Sequence, residues 1–142
     1  MTDESPRKAA ENSEIVLQLR ASARSVQEAR HAAGDLCRSA GLASLADDAE
    51  LLTSELVTNA CQATENPITV ALQCDASGFG VTVTDDDDDT VVAVPTMAPD
   101  DDALSGRGLH IVDKIASDWG AVQHDAHGKS VWFRLNTTTL TR

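Results

Sequence analysis

The stretch ITVALQCDASGFGVTVTDDDDD, residues 68–89, decides the reading of the chain. Its two apolar runs, Ile68 to Cys74 and Phe79 to Thr84, have strand character, and the DASG between them favours a hairpin. The second run ends in five consecutive aspartates, Asp85 to Asp89. Neighbouring side chains on an extended chain point to opposite faces, so five adjacent carboxylates cannot converge on one ion, and most of them are solvated. An EF-hand loop counted from Asp85 fails, because its sixth and twelfth positions hold Thr90 and Thr96 where Gly and Glu are required. Asp85 differs from its neighbours. The alternation Val81, Val83, Asp85 turns it to the same face as the valines, and an inward carboxylate is costly unless something donates hydrogen bonds to it.

Upstream, Glu14 to Arg20 reads as a strand. In SARSVQEARHAAGDLCRSAG, Ser25 and Glu28 have capping-box spacing, apolar residues recur every three or four positions, and Gly41 is a stop signal. A second helix is expected from about 45 to 63, with Ser44 and Asp47 at its start and Asn66-Pro67 beyond its end. Downstream, residues 86–105 hold two acidic clusters and two prolines. A loop of that length inside a compact domain points to a lid or a binding loop. Gly106 and Gly108 then open a helix through Leu109, Ile111, Val112 and Ile115. Two strands follow, AVQHDA and KSVWFRLN, joined at His127-Gly128. Hairpin-paired strands with helices grouped between them imply an α+β sheet covered on one face.

Composition narrows the function. A chain of 142 residues suits one domain, here 14–142 behind a loosely held tail at 1–13. Net charge is −12 with a sequence pI near 4.5. Such a surface repels phosphate backbones and anionic membranes, which argues against direct nucleic-acid or membrane binding. A local site can still take one nucleotide if a bound cation offsets the charge. The odd count of three cysteines, with no CxxC, reads as buried free thiols in a reducing compartment. The N-terminus has no apolar signal segment, and the expected location is the cytoplasm.

Four groups of residues carry candidate chemistry. Glu55 and Asn59 lie four apart on the second helix, beside the stripe of Leu52, Leu56 and Ala60. They suit a base and a hard-cation ligand, and equally the polar flank of an amphipathic helix. Gly106, Arg107 and Gly108 before a helix would let a phosphate approach backbone N–H groups, or they simply start the helix. Neither a dinucleotide fingerprint nor a Walker A sequence is present there. Lys129, one of three lysines, neutralises a phosphate or belongs to ordinary surface, and Ser130 follows it. The four histidines show no ligand spacing.

Taken in order, SELVTNA, a strand ending in Asp, a long lid, GRGLHIVDKIASDWG and GKSVWFRL resemble the GHKL ATPase superfamily. The likeness is greatest to the small anti-sigma-factor serine/threonine kinases and their actinobacterial relatives, and it covers about residues 14–136. The resemblance implies a Bergerat fold: a two-layer sandwich of a mixed, largely antiparallel sheet, helices on one face, and an ATP lid. It implies MgATP as ligand, with Asn59 on Mg²⁺ and Glu55 as the general base. Asp85 would accept the exocyclic amine of adenine, so that a guanine carbonyl is rejected. Gly106, Arg107, Gly108 and Leu109 would lie at the phosphates with Lys129 as a further cation, and Ser130 near the adenine. The partners implied are a sigma factor and a STAS-type anti-anti-sigma factor, and the family tends to form homodimers. Two departures stand out. The aspartate run lacks the glycines of the broader DxGxG motif, and ACQAT follows Asn59 where close relatives carry a basic residue and a His. Both favour the second reading, a nucleotide-binding interaction module without useful kinase activity.

Overall fold

The computed structural model describes residues 12–86, 104–124 and 128–137. Its elements in chain order are β1 (Ser13–Leu19), α1 (Ala23–Ser39), α2 (Ala46–Ala63), β2 (Ile68–Asp75), β3 (Gly78–Asp85), α3 (Leu104–Ile115), β4 (Asp118–Gln123) and β5 (Lys129–Asn136). The sheet order is β1-β2-β3-β5-β4. Every neighbouring pair is antiparallel, so the expected mixed sheet is antiparallel throughout these five strands.

Alternation sets the two faces. Ile68, Val70, Leu72 and Cys74 of β2 are buried, as are Phe79, Val81 and Val83 of β3 and Val131, Phe133 and Leu135 of β5. They form one core with Leu52, Leu56, Val57 and Ala60 of α2 and with Leu109 and Val112 of α3. The Phe79 and Phe133 rings meet at 6.1 Å with a 52° tilt, a favoured aromatic geometry. The central helix α2 packs on α1, α3, β2, β3 and β5, so all three helices share one face of the sheet. A chain with 3% aromatics fills this layer with aliphatic and small side chains.

The helix boundaries differ from expectation in ways that follow from capping. Helix α1 begins one turn early: Ser22 is its N-cap, extended at φ −149° and ψ 162°, and its hydroxyl accepts from the Ser25 N–H at 3.3 Å. Ser25 is therefore a buried first-turn residue rather than the cap. The C-terminal stop does fall at Gly41, whose φ of +81° suits the left-handed position. Leu42 N–H donates to Cys37 O and Gly41 N–H to Arg38 O, the two bonds of a Schellman motif. Ser44 does not cap α2. A short 3₁₀ turn, Ala43–Leu45, leads into α2, and Asp47 and Asp48 in the first turn complement its dipole.

The DASG turn is a two-residue loop. Asp75 pairs with Gly78, and Asp75 Oδ1 accepts from Ser77 N–H, Ser77 Oγ and Gly78 N–H. Arg134 of β5 also donates to Asp75 at 3.0 Å. The hydrogen bond from Ser77 leads the causes that hold the Asp75 carboxyl below its usual range. This anchor fixes the register of β3, and the register of β3 sets where its last residue lies. The expected lid falls mostly on 87–103, outside the described residues, while Leu104 and Ser105 at its expected end already belong to α3.

Candidate functional site

The end of β3 forms the centre of the site. Asp85 lies opposite Lys129 in the β3–β5 register, and both turn to the helix-covered face. Lys129 Nζ donates to Asp85 Oδ1 at 3.2 Å and to Oδ2 at 3.0 Å. Their side chains are 6% and 3% exposed, so this is a buried ion pair. The donor that an inward Asp85 required is thus present within the chain. It was legible in part, because Lys129 leads the alternation Val131, Phe133, Leu135 just as Asp85 ends Val81, Val83. What the sequence did not show was the register that puts the two side by side.

Gly128 lets the chain close here. Its φ is +93°, and a Cβ on it would meet the backbone oxygen of Asp85. The adjacent Asp86 has a definite place as well. Its carboxylate accepts from Thr64 Oγ1 at 2.8 Å and from Asn66 Nδ2 at 2.6 Å. These bonds tie the end of β3 to the end of α2, a helix that packs on both β3 and β5.

Glu55 and Asn59 lie on the C-terminal half of α2, both half-buried. The opposite flank of α2 belongs to α1: Glu50 pairs with Arg30 and Arg38, and Cys61 Sγ donates to Ser22 O at 3.9 Å. The helical period then turns Glu55 and Asn59 toward the α3 side. Burial pushes the Glu55 carboxyl above its ordinary value. A desolvated carboxylate is a stronger base, which is the direction a proton acceptor needs.

The remaining predicted positions divide. Gly106, Arg107 and Gly108 lie within α3, not ahead of it, because the helix starts at Leu104. The first four N–H groups of a helix lack intrahelical partners, and here those groups belong to residues 104–107. Leu109 has its side chain in the core and its N–H in the second turn. Ser130 faces away from Asp85. Its hydroxyl is 2.7 Å from Thr84 Oγ1 and 2.8 Å from His124 Nε2, on the other face of the sheet. Strand alternation separates it from the place assigned to the base, and Lys129 stands there instead. Asp113, which sequence reasoning passed over, accepts from the Trp119 indole at 2.8 Å and locks α3 to β4.

Among the described residues there is no cluster of three His, Cys, Asp or Glu able to hold a metal by itself. Mg²⁺ does not demand one, since it keeps waters and phosphate oxygens and takes only one or two protein groups. The amide oxygen of Asn59 is a hard donor of that kind. Among the described residues no helix is long and apolar enough to cross a membrane. The three cysteines are free, and burial pushes the Cys37 thiol up to about 12.

A search of curated proteins returned no match. A family model described as "Histidine kinase-like ATPase domain" matches residues 19–135, from the end of β1 to the penultimate residue of β5. With three helices on one face of an antiparallel sheet, an acidic residue ending β3 and a match over most of its length, the chain belongs to the histidine kinase-like ATPase domain family, a family of ATP-binding domains with the GHKL fold.

Proposed function

We propose that the chain is a MgATP-dependent serine/threonine protein kinase of the anti-sigma-factor type. It would hold a sigma factor and phosphorylate a hydroxyl of a STAS-type antagonist. The observation that carries this reading is the pair on α2: Glu55, made more basic by burial, one turn from Asn59. In such a transfer the substrate hydroxyl gives its proton to Glu55 while its oxygen attacks the γ-phosphorus, and ADP leaves. Asn59 would hold Mg²⁺, which when bound neutralises phosphate charge. The N–H groups of the first turn of α3 would face the phosphates. Phosphoryl transfer needs positioning and charge neutralisation more than covalent chemistry, and these residue types supply both.

The test is transfer of radiolabelled phosphate from ATP to a STAS partner. Glu55→Ala should abolish transfer and leave nucleotide binding intact. Transfer at the unaltered rate would remove Glu55 from the reaction. A second reading, a nucleotide-binding interaction module without transfer, is favoured by the occupied state of Asp85 and by Gln62 and Ala63 in the stretch after Asn59. Saturable ATP binding with no transfer to any such partner would support it.

A further inference from the structure

The carboxylate expected to receive the amine of adenine is already engaged. Lys129 spans both oxygens of Asp85, at 3.0 and 3.2 Å. Lys129 and Asp85 keep only 5% and 6% of their surface in contact with solvent. The pair is held by cross-strand register, by the close approach at Gly128, and by the anchoring of Asp86 to Thr64 and Asn66. We propose that Lys129 occupies the base subsite as an internal stand-in for the adenine amine, so that a nucleotide binds fully only when the Lys129 ammonium gives up Asp85. This rests on the nucleotide-binding reading and adds a competitor to it.

The chemistry of the two donors supports the exchange. An ammonium and an exocyclic amine both present N–H groups to a carboxylate, and they seek the same lone pairs. The ammonium makes the stronger, charge-assisted bond. A base arriving alone would therefore lose the competition. A whole nucleotide does not arrive alone: it brings apolar burial of the ring and phosphate contacts that do not use Lys129. The lysine stem is long and flexible, so its head group can leave the carboxylate without moving β5. Affinity in the unaltered protein is then reduced by the fraction of molecules in which Asp85 is taken. The opposite expectation, that Lys129 is a plain phosphate ligand, predicts the opposite sign for its removal.

The experiment is calorimetric titration of MgADP into the unaltered protein and into Lys129→Met, which keeps stem length without charge. Losing one charge-assisted competitor should tighten binding by about tenfold or more. Equal or weaker binding by folded Lys129→Met overturns the proposal, while binding by the unaltered protein leaves the nucleotide reading standing. If neither protein binds MgADP, both readings fall together. Because removing a buried cation can unfold the variant, the unaltered protein is also followed by nitrogen-15 NMR. The Lys129 ammonium signal, protected from water in the free protein, should vanish at saturating MgADP. A signal unchanged at saturation overturns the proposal.

Discussion

Replacing Lys129 by Met tests whether the Asp85–Lys129 pair is as deeply held as the geometry says. Exposed ion pairs contribute about 0–1 kcal/mol, because water solvates either partner once the other is gone. Here the side chains are 6% and 3% exposed and two short bonds join them. Removing one partner of such a pair strands a buried charge, which costs about 3–5 kcal/mol. Taking the lower figure, the melting temperature of a domain this size should fall by roughly 6–12 °C. The assay is urea unfolding followed by the fluorescence of Trp119 and Trp132, which lie in β4 and β5. The midpoint should fall while the slope stays constant, since the surface exposed on unfolding is unchanged. Removing both charges in Asp85→Leu/Lys129→Met should recover most of the loss, because a well-packed apolar pair often equals a buried ion pair. If Lys129→Met alone stays within about 1 kcal/mol of the unaltered protein, the pair is not buried in solution and the reasoning fails.

Further outcomes follow from other residues. Glu55 has its folded-state pKa raised, so the stability it contributes is present below its ordinary value of 4.5 and lost as pH rises through the folded value. Glu55→Gln should therefore stabilise the protein at pH 7, with the gain shrinking as pH falls through the carboxylate range; denaturant titrations at several pH values check this, and a gain that grows on acidification refutes it. Asp86→Ala removes the acceptor for Thr64 and Asn66, two partly exposed bonds together worth about 1–2 kcal/mol. Hydrogen exchange should show faster opening at the α2–β2 turn than in the helices, and uniform protection across the chain would contradict that anchor. The Cys37 thiol, buried and pushed up to about 12, should react with thiol reagents at pH 8 only at the rate of unfolding. Rapid native labelling at Cys37 would show that its face of α1 is not packed into the core.

Much of this arrangement was legible in the residues, and the exceptions share one cause. Strand alternation gave Asp85 its inward direction, and the helical period gave Glu55 and Asn59 a shared flank, because both are local properties of the backbone. Gly41 marked the end of α1 because only a residue tolerant of positive φ closes a Schellman motif without strain. The failures lie where a partner is distant in sequence or where two local signals compete. Ser22 and Ser25 both suit a cap, and the earlier one prevails because α1 continues back to Ala23 and buries Ser25. Ser130 was assigned to the base site by motif position, but one step along β5 reverses the face, and the inward residue is Lys129. The Asp85–Lys129 and Asp86–Thr64 contacts span 44 and 22 residues. No spacing rule reaches that far; only the sheet register and the fold of α2 onto β3 bring those residues together.

The central claim is an adenine nucleotide site built on Asp85, and calorimetry tests it most directly. MgATP, MgADP and MgGTP would be titrated into the unaltered protein and into Asp85→Asn. The account predicts saturable binding of both adenine nucleotides, little or none of MgGTP, and loss of binding in Asp85→Asn. Binding that survives unchanged in a folded Asp85→Asn, or no nucleotide binding by the unaltered protein, would contradict it.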